Sequence, residues 1–211
     1  MRLLLTGFEP YWDYPENSSW VVAEKVATLG VSGVYIFTEQ MPVSFSRVAG
    51  VLRKAIEKHS PDMIIMLGQA RESEHIRLER VALNMMDARL SDNDNYTPNE
   101  EPINIEAPPA LFTNTPIKSL CTAIERHGIL VKISNSCGLY VCNRLYYEAL
   151  MICRENAKMS AIFVHLPLYS ATANKHTMPL ENMVKSIQTI IEETYDKNRN
   201  VKKTSCACIR Q

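Results

Sequence analysis

Two hydrophobic rhythms alternate along this chain. Short, nearly continuous apolar runs at residues 2–6, 34–37, 63–67, 129–133 and 160–164 predict strands. The unbroken Met63-Ile64-Ile65-Met66-Leu67 suits a parallel strand covered on both faces. Between these runs apolar residues recur at helical spacing. Val48, Val51, Leu52, Ala55 and Ile56 share one face after Ser44 or Ser46, and His59 ends the segment with a cation suited to a helix C-terminus. Asn17 and Ser18 can cap a helix carrying Trp20, Val21, Ala23 and Val26. Thr115-Pro116 opens another, with Ile117, Leu120, Cys121 and Ile124 inward and Gly128 as its stop. A further helix starts near 139, and the last follows Thr177-Met178-Pro179, with Val184, Ile187, Ile191 and Thr194 on one face. A strand from Glu79 extends through Val81 to Met85. Residues 87–115 after it are rich in Asp, Asn, Pro and Glu, the composition of a lid, a flap or a disordered loop.

Strands separated by amphipathic helices imply βαβ crossovers. The expected class is therefore α/β: a three-layer α/β/α sandwich of the phosphorylase/hydrolase-like kind, its mostly parallel twisted sheet flanked by helices. Residues 1–196 read as a single domain and 197–211 as a flexible polar tail. The 23 basic and 23 acidic residues cancel, which removes the cationic surplus a general nucleic-acid binder needs. No apolar run is long enough to span a membrane, and the apolar start is too short for a secretion signal. A cytoplasmic protein is expected, in which the six cysteines (121, 137, 142, 153, 206 and 208) are thiols rather than bridges. Cys206-Ala207-Cys208 lacks a second ligand pair at zinc spacing, and no cofactor motif is present. Arg210 breaks the aliphatic pattern that a prenylated Cys208 would require.

Ligands of such sheets bind at the carboxyl ends of strands. Gly7-Phe8-Glu9-Pro10, Gly68-Gln69-Ala70-Arg71, Ser136-Cys137-Gly138 and His165 all follow or end predicted strands, so the polar candidates converge on one rim. Cys142 lies at a strand-to-helix junction, where the positive helix end favours thiolate. Cys137 is its rival in the same turn, with weaker dipole support, while Cys121 and Cys153 read as core. His59 and His127 cap helices, His75 and His176 lie in polar surroundings, and His165 alone follows a buried strand. Glu79 shares a strand face with Val81 and Leu83. An acid there is costly unless paired, and Arg80 faces the other way. Glu79 therefore needs a distant partner, which a histidine would supply. Cysteine, histidine and an orienting acid are the minimum for cysteine acyl transfer.

At these residues the chain resembles pyroglutamyl peptidase I, the pyrrolidone-carboxylate peptidases of bacteria and archaea. Thr6-Gly7-Phe8-Glu9-Pro10, Asn17-Ser18-Ser19-Trp20, Pro61-Asp62 through Gly68-Gln69-Ala70, Glu79-Arg80-Val81-Ala82-Leu83-Asn84, Asp87-Ala88-Arg89, Tyr140-Val141-Cys142-Asn143 and Phe163-Val164-His165-Leu166-Pro167 carry the resemblance, from Leu4 to about Leu168. It implies removal of N-terminal pyroglutamate from small peptides, with Cys142 as nucleophile, His165 as proton carrier and Glu79 as its orienting acid. It also implies that Arg89 and the backbone near Cys142 steady the oxyanion. Phe8 and Tyr11 would flank the lactam ring, Val43, Leu90, Tyr140 and Val141 would complete an apolar pocket, and Asn17 and Gln69 would meet the polar edge. No metal or cofactor is implied, and a homo-oligomer, dimer or tetramer, is. The chain departs from the family pattern at Tyr11-Trp12-Asp13, where Phe-Gly-Gly is usual, at Cys137, Leu139 and Ser91, and through 94–110. Altered affinity is expected from these changes rather than lost activity. A pocket that binds peptide N-termini without turnover is the competing reading. Nucleoside phosphorolysis on a similar architecture lacks the Gly-rich phosphate cradle it would need.

Overall fold

A computed structural model describes residues 1–169 and 176–207, the side chains of 197–207 excepted. Thr172–Lys175, the Cys206/Cys208 thiols and the last four residues, on which expectations were placed above, lie outside that description.

The central sheet has six strands in the order β2 (Tyr35–Met41), β1 (Arg2–Phe8), β3 (Met63–Gln69), β8 (Ser160–Leu166), β4 (Ile76–Glu79) and β7 (Val131–Ser134). The first four run parallel, while β4 runs antiparallel to β8 and parallel to β7. Side-chain alternation divides the core in two. Leu3 and Leu5 of β1 and Met63, Ile65 and Leu67 of β3 join α1 (Ser18–Leu29), α3 (Ile117–Glu125) and α5 (Leu180–Ala207) in one cluster. Leu4, Ile64, Met66 and Phe163 join α2 (Val48–His59) and α4 (Val141–Glu155) in the other. This is the α/β/α sandwich expected from the two rhythms.

Three local differences matter. The strand expected from Glu79 to Met85 breaks at Arg80. Its amide bonds Ser134 of β7 while its carbonyl accepts from Thr113, so the chain leaves the main sheet there. The next piece, β5 (Val81–Leu83), pairs instead with β6 (Ala110–Phe112) in a small antiparallel sheet. The long 87–115 connection is pinned by short polar side chains. Both Asp92 carboxylate oxygens accept backbone bonds, from Phe45 at 2.8 Å and from Asp94 and Tyr96 at 2.9 Å, and Asn84 bonds Asn104 in both directions. Finally, α5 continues to Ala207, past residue 196, because no Gly or Pro follows Pro179 to stop it.

Candidate active site

Gly7 lets the end of β1 press on α1: a Cβ there would lie 2.6 Å from the carbonyl oxygen of Ser19. Asn17 caps α1, its Oδ1 accepting from the Ser19 amide at 3.1 Å and the Ser19 hydroxyl at 2.7 Å, while Nδ2 donates to the Glu9 carbonyl at 3.0 Å. Glu9 in turn accepts from the Val43 amide and from Asn93. The opening loop is thereby fixed over the rim of the sheet.

That rim holds a cavity of about 220 Å³. Phe8, Tyr11, Val43, Tyr140 and Val141 give it apolar walls, and Asn17, Gln69, Cys142 and His165 reach it. Gln69 accepts from the Ser18 amide at 2.8 Å through its Oε1, and its buried Nε2, near the Tyr11 hydroxyl but without a full hydrogen bond, is a donor open to whatever fills the cavity. Asn17 differs: both its polar atoms are engaged in the cap, so its part is chiefly framework. Arg89 and Leu90 are exposed and outside the lining, in a loop whose neighbour Ser91 offers its carbonyl to Tyr140 and Trp12 instead.

Cys142 is the second residue of α4, half-buried, with Tyr140 at the N-cap in extended conformation. Its neighbour Asn143 is wholly buried and clamps β5, accepting from the Leu83 amide at 2.9 Å and donating to the Leu83 and Met85 carbonyls at 2.8 Å. Cys137, the rival thiol, is 7% exposed and lies 3.4 Å from the Asn143 carboxamide oxygen, a partnered packing position. Burial pushes the Cys142 thiol up to about 12, the Glu79 charge adding to the effect and Arg77 opposing it. The helix-end preference for thiolate is outweighed, so the resting sulfur carries its proton.

His165 lies inside β8, buried, with its Nδ1 2.8 Å from Glu79 Oε1. Glu79 is fully buried, and its only other charged neighbour among the described residues is Arg77, whose Nε stands 3.7 Å away. The distant histidine partner that Glu79 required is thus present. Gly68 makes room for the imidazole: a Cβ there would meet His165 Cδ2 at 3.0 Å and the Phe163 ring at 2.7 Å. Cys142 and His165 line the same cavity with no hydrogen bond yet joining them, which is common before substrate draws such groups together.

Two further lining residues, Trp12 and Arg71, stand in segments that the sequence singles out without giving these two a part in the pocket. Trp12 stands where the resemblance implies a glycine and adopts the left-handed backbone, at φ 53°. Its ring carries the Arg71 guanidinium 4.6 Å above it, and the same guanidinium sits 5.7 Å from the Tyr14 ring. No group of three or more potential metal ligands occurs among the described residues, and no helix there is long and apolar enough to cross a membrane.

A family model described as pyroglutamyl peptidase matches residues 1–197. The pyrrolidone-carboxylate peptidase of Bacillus licheniformis is 39% identical over 193 residues, covering 90% of this chain and 87% of that one. The protein of the same name from Thermococcus onnurineus is 36% identical over 196 residues, covering 91% and 98%. Among solved structures, pyroglutamyl peptidase I of Bacillus amyloliquefaciens superposes with a TM-score of 0.84 at 32% identity, over 89% of this chain and 93% of that one. A mutant pyrrolidone carboxyl peptidase from Pyrococcus furiosus gives 0.87 at 31% identity, over 93% and 99%.

Proposed function

The chain belongs to the pyroglutamyl peptidase family, a family of cysteine peptidases, and we propose that it cleaves N-terminal pyroglutamate from small peptides through Cys142, His165 and Glu79. The observation that carries this reading is the 2.8 Å contact between buried His165 and fully buried Glu79, beside a cavity that Cys142 also lines. In the proposed reaction Cys142 Sγ attacks the pyroglutamyl carbonyl while His165 Nε2 takes the thiol proton. Because that thiol is protonated at rest, proton removal accompanies attack rather than preceding it. Glu79 accepts from Nδ1–H, which fixes the tautomer and stabilises the imidazolium. The Val141 and Cys142 N–H groups at the open end of α4 would receive the oxyanion, the Asn143 N–H being already bonded to the Tyr140 carbonyl at 2.9 Å. His165 then protonates the departing amine. Water, deprotonated by the same imidazole, hydrolyses the thioester and frees pyroglutamate.

The cavity suits a flat neutral lactam. Apolar walls hold the ring and Gln69 Nε2 donates to its carbonyl, whereas a charged α-amino group would lose its hydration there. The test is release of aminomethylcoumarin from its pyroglutamyl amide under reducing conditions, by wild type, Cys142→Ser and Cys137→Ser. Turnover by wild type and Cys137→Ser alone supports the assignment. Turnover by Cys142→Ser overturns the nucleophile, and none by any protein would favour a binding role.

A further inference from the structure

Beside the cavity lies an open groove of about 400 Å³, lined by Ala70, Arg71, Glu72, Ser73, Arg77 and Lys132. Arg71 lines both spaces, so the groove adjoins the cavity. The sheet register explains why cations gather there. His165 pairs with Gly68 on one side and Arg77 on the other, and Arg77 pairs with Lys132. Directly opposed residues project from the same face about 5 Å apart. One row therefore leads from Gly68 through His165 and Arg77 to Lys132 on the edge strand.

Three cations thus face one lining carboxylate, Glu72. Arg77 reaches Glu79 at 3.7 Å, yet its Nε is buried without a hydrogen-bond partner. Lys132 is exposed, with no acidic group within ion-pair distance among the described residues. Arg71 is stacked on Trp12 and steadied by the Tyr14 hydroxyl at 3.5 Å, an arrangement that leaves most of its donor edge free.

A departing amine must leave within reach of His165, because His165 protonates it, and the groove begins at the cross-strand neighbour of His165. We propose that this groove binds a carboxylate on the leaving side of the substrate, either the free C-terminal carboxylate of a pyroglutamyl dipeptide or an acidic side chain just after the scissile bond. The inference rests on the peptidase reading above and extends it to substrate class.

The test compares kcat/KM for pyroglutamyl-alanine, its C-terminal amide, and the amides of pyroglutamyl-glutamate and pyroglutamyl-lysine, at low and high ionic strength. At low salt the free acid should exceed its amide by roughly tenfold, chiefly through KM, with the lysine substrate lowest and the difference shrinking with added salt. A gain confined to the free acid assigns the groove to the chain terminus, and a gain shared by the glutamate amide assigns it to the side chain. Arg71→Gln with Lys132→Gln should remove most of the preference. Equal rates for the alanine acid, its amide and the glutamate amide, or a preference that survives the double variant, overturn the proposal. Calorimetric binding of the same acid and amide to Cys142→Ser gives the ratio without turnover. The uncharged aminomethylcoumarin substrate tests the peptidase reading separately.

Discussion

Replacing Glu79 with Gln probes the arrangement most directly, because it keeps the volume and removes one charge. In the transition state His165 becomes an imidazolium whose Nδ1 lies 2.8 Å from a carboxylate oxygen in a fully buried site. With charge centres about 4 Å apart and an effective dielectric of about 20, the attraction is of order 4 kcal/mol. A glutamine oxygen retains a neutral hydrogen bond worth about 1 kcal/mol. The net loss of about 3 kcal/mol corresponds to a fall in kcat of roughly a hundredfold or more. Arg77 works in the same direction: once its 3.7 Å partner is neutral, its own charge opposes the imidazolium. Stability should change little. The orphan Oε2 becomes an unpartnered amide nitrogen, costing about 1–3 kcal/mol, while a buried charge disappears, a compensation of similar size. The assay is kcat and KM on the coumarin substrate, with a thermal melt as control. A folded Glu79→Gln protein with kcat within a fewfold of wild type would refute the orienting role of Glu79.

Alkylation of Cys142 by iodoacetamide should accelerate about tenfold per pH unit from neutrality into the alkaline range without levelling, since the free thiol titrates near 12. A plateau at or below neutral pH would mean a thiolate–imidazolium pair already exists at rest. Asn143→Ala removes three hydrogen bonds, two to Leu83 of β5 and one to Met85 beyond it, and strands buried backbone groups, so denaturant melts should show a loss of about 2–4 kcal/mol. A loss under about 0.5 kcal/mol would mean water replaces the clamp. Gly68→Ala forces the Phe163 and His165 rings aside and should lower kcat at least about tenfold, as displacing a proton-transfer group does. Unchanged kcat in that variant would show that the imidazole has room to spare.

The legible parts of this molecule are those written in local pattern. Continuous apolar strands and amphipathic helices predicted the layers, and the split of Met63, Ile65 and Leu67 from Ile64 and Met66 onto opposite clusters follows from alternation alone. Cys142 and His165 could be singled out by position, and Glu79 by the cost of an isolated acid. Pairing partners, sheet changes and burial have no such signature. No Gly or Pro marks the break at Arg80 within residues 79–83, so local pattern could not show two sheets. The start of α4 was readable at Cys142, but the desolvation that overrides its dipole depends on what packs around the sulfur.

Strand direction was equally hidden, and it decides the charge beside the histidine. Glu79 stands opposite Phe163 and reaches His165 along the diagonal. Had β4 run parallel to β8, the residue two positions further toward His165 on that face would follow Glu79 in sequence and be the apolar Val81. Because β4 runs antiparallel, it precedes Glu79 and is Arg77, paired with His165 on one side and Lys132 on the other. The basic character of the groove, and the substrate preference inferred from it, therefore trace to the reversal of one four-residue strand.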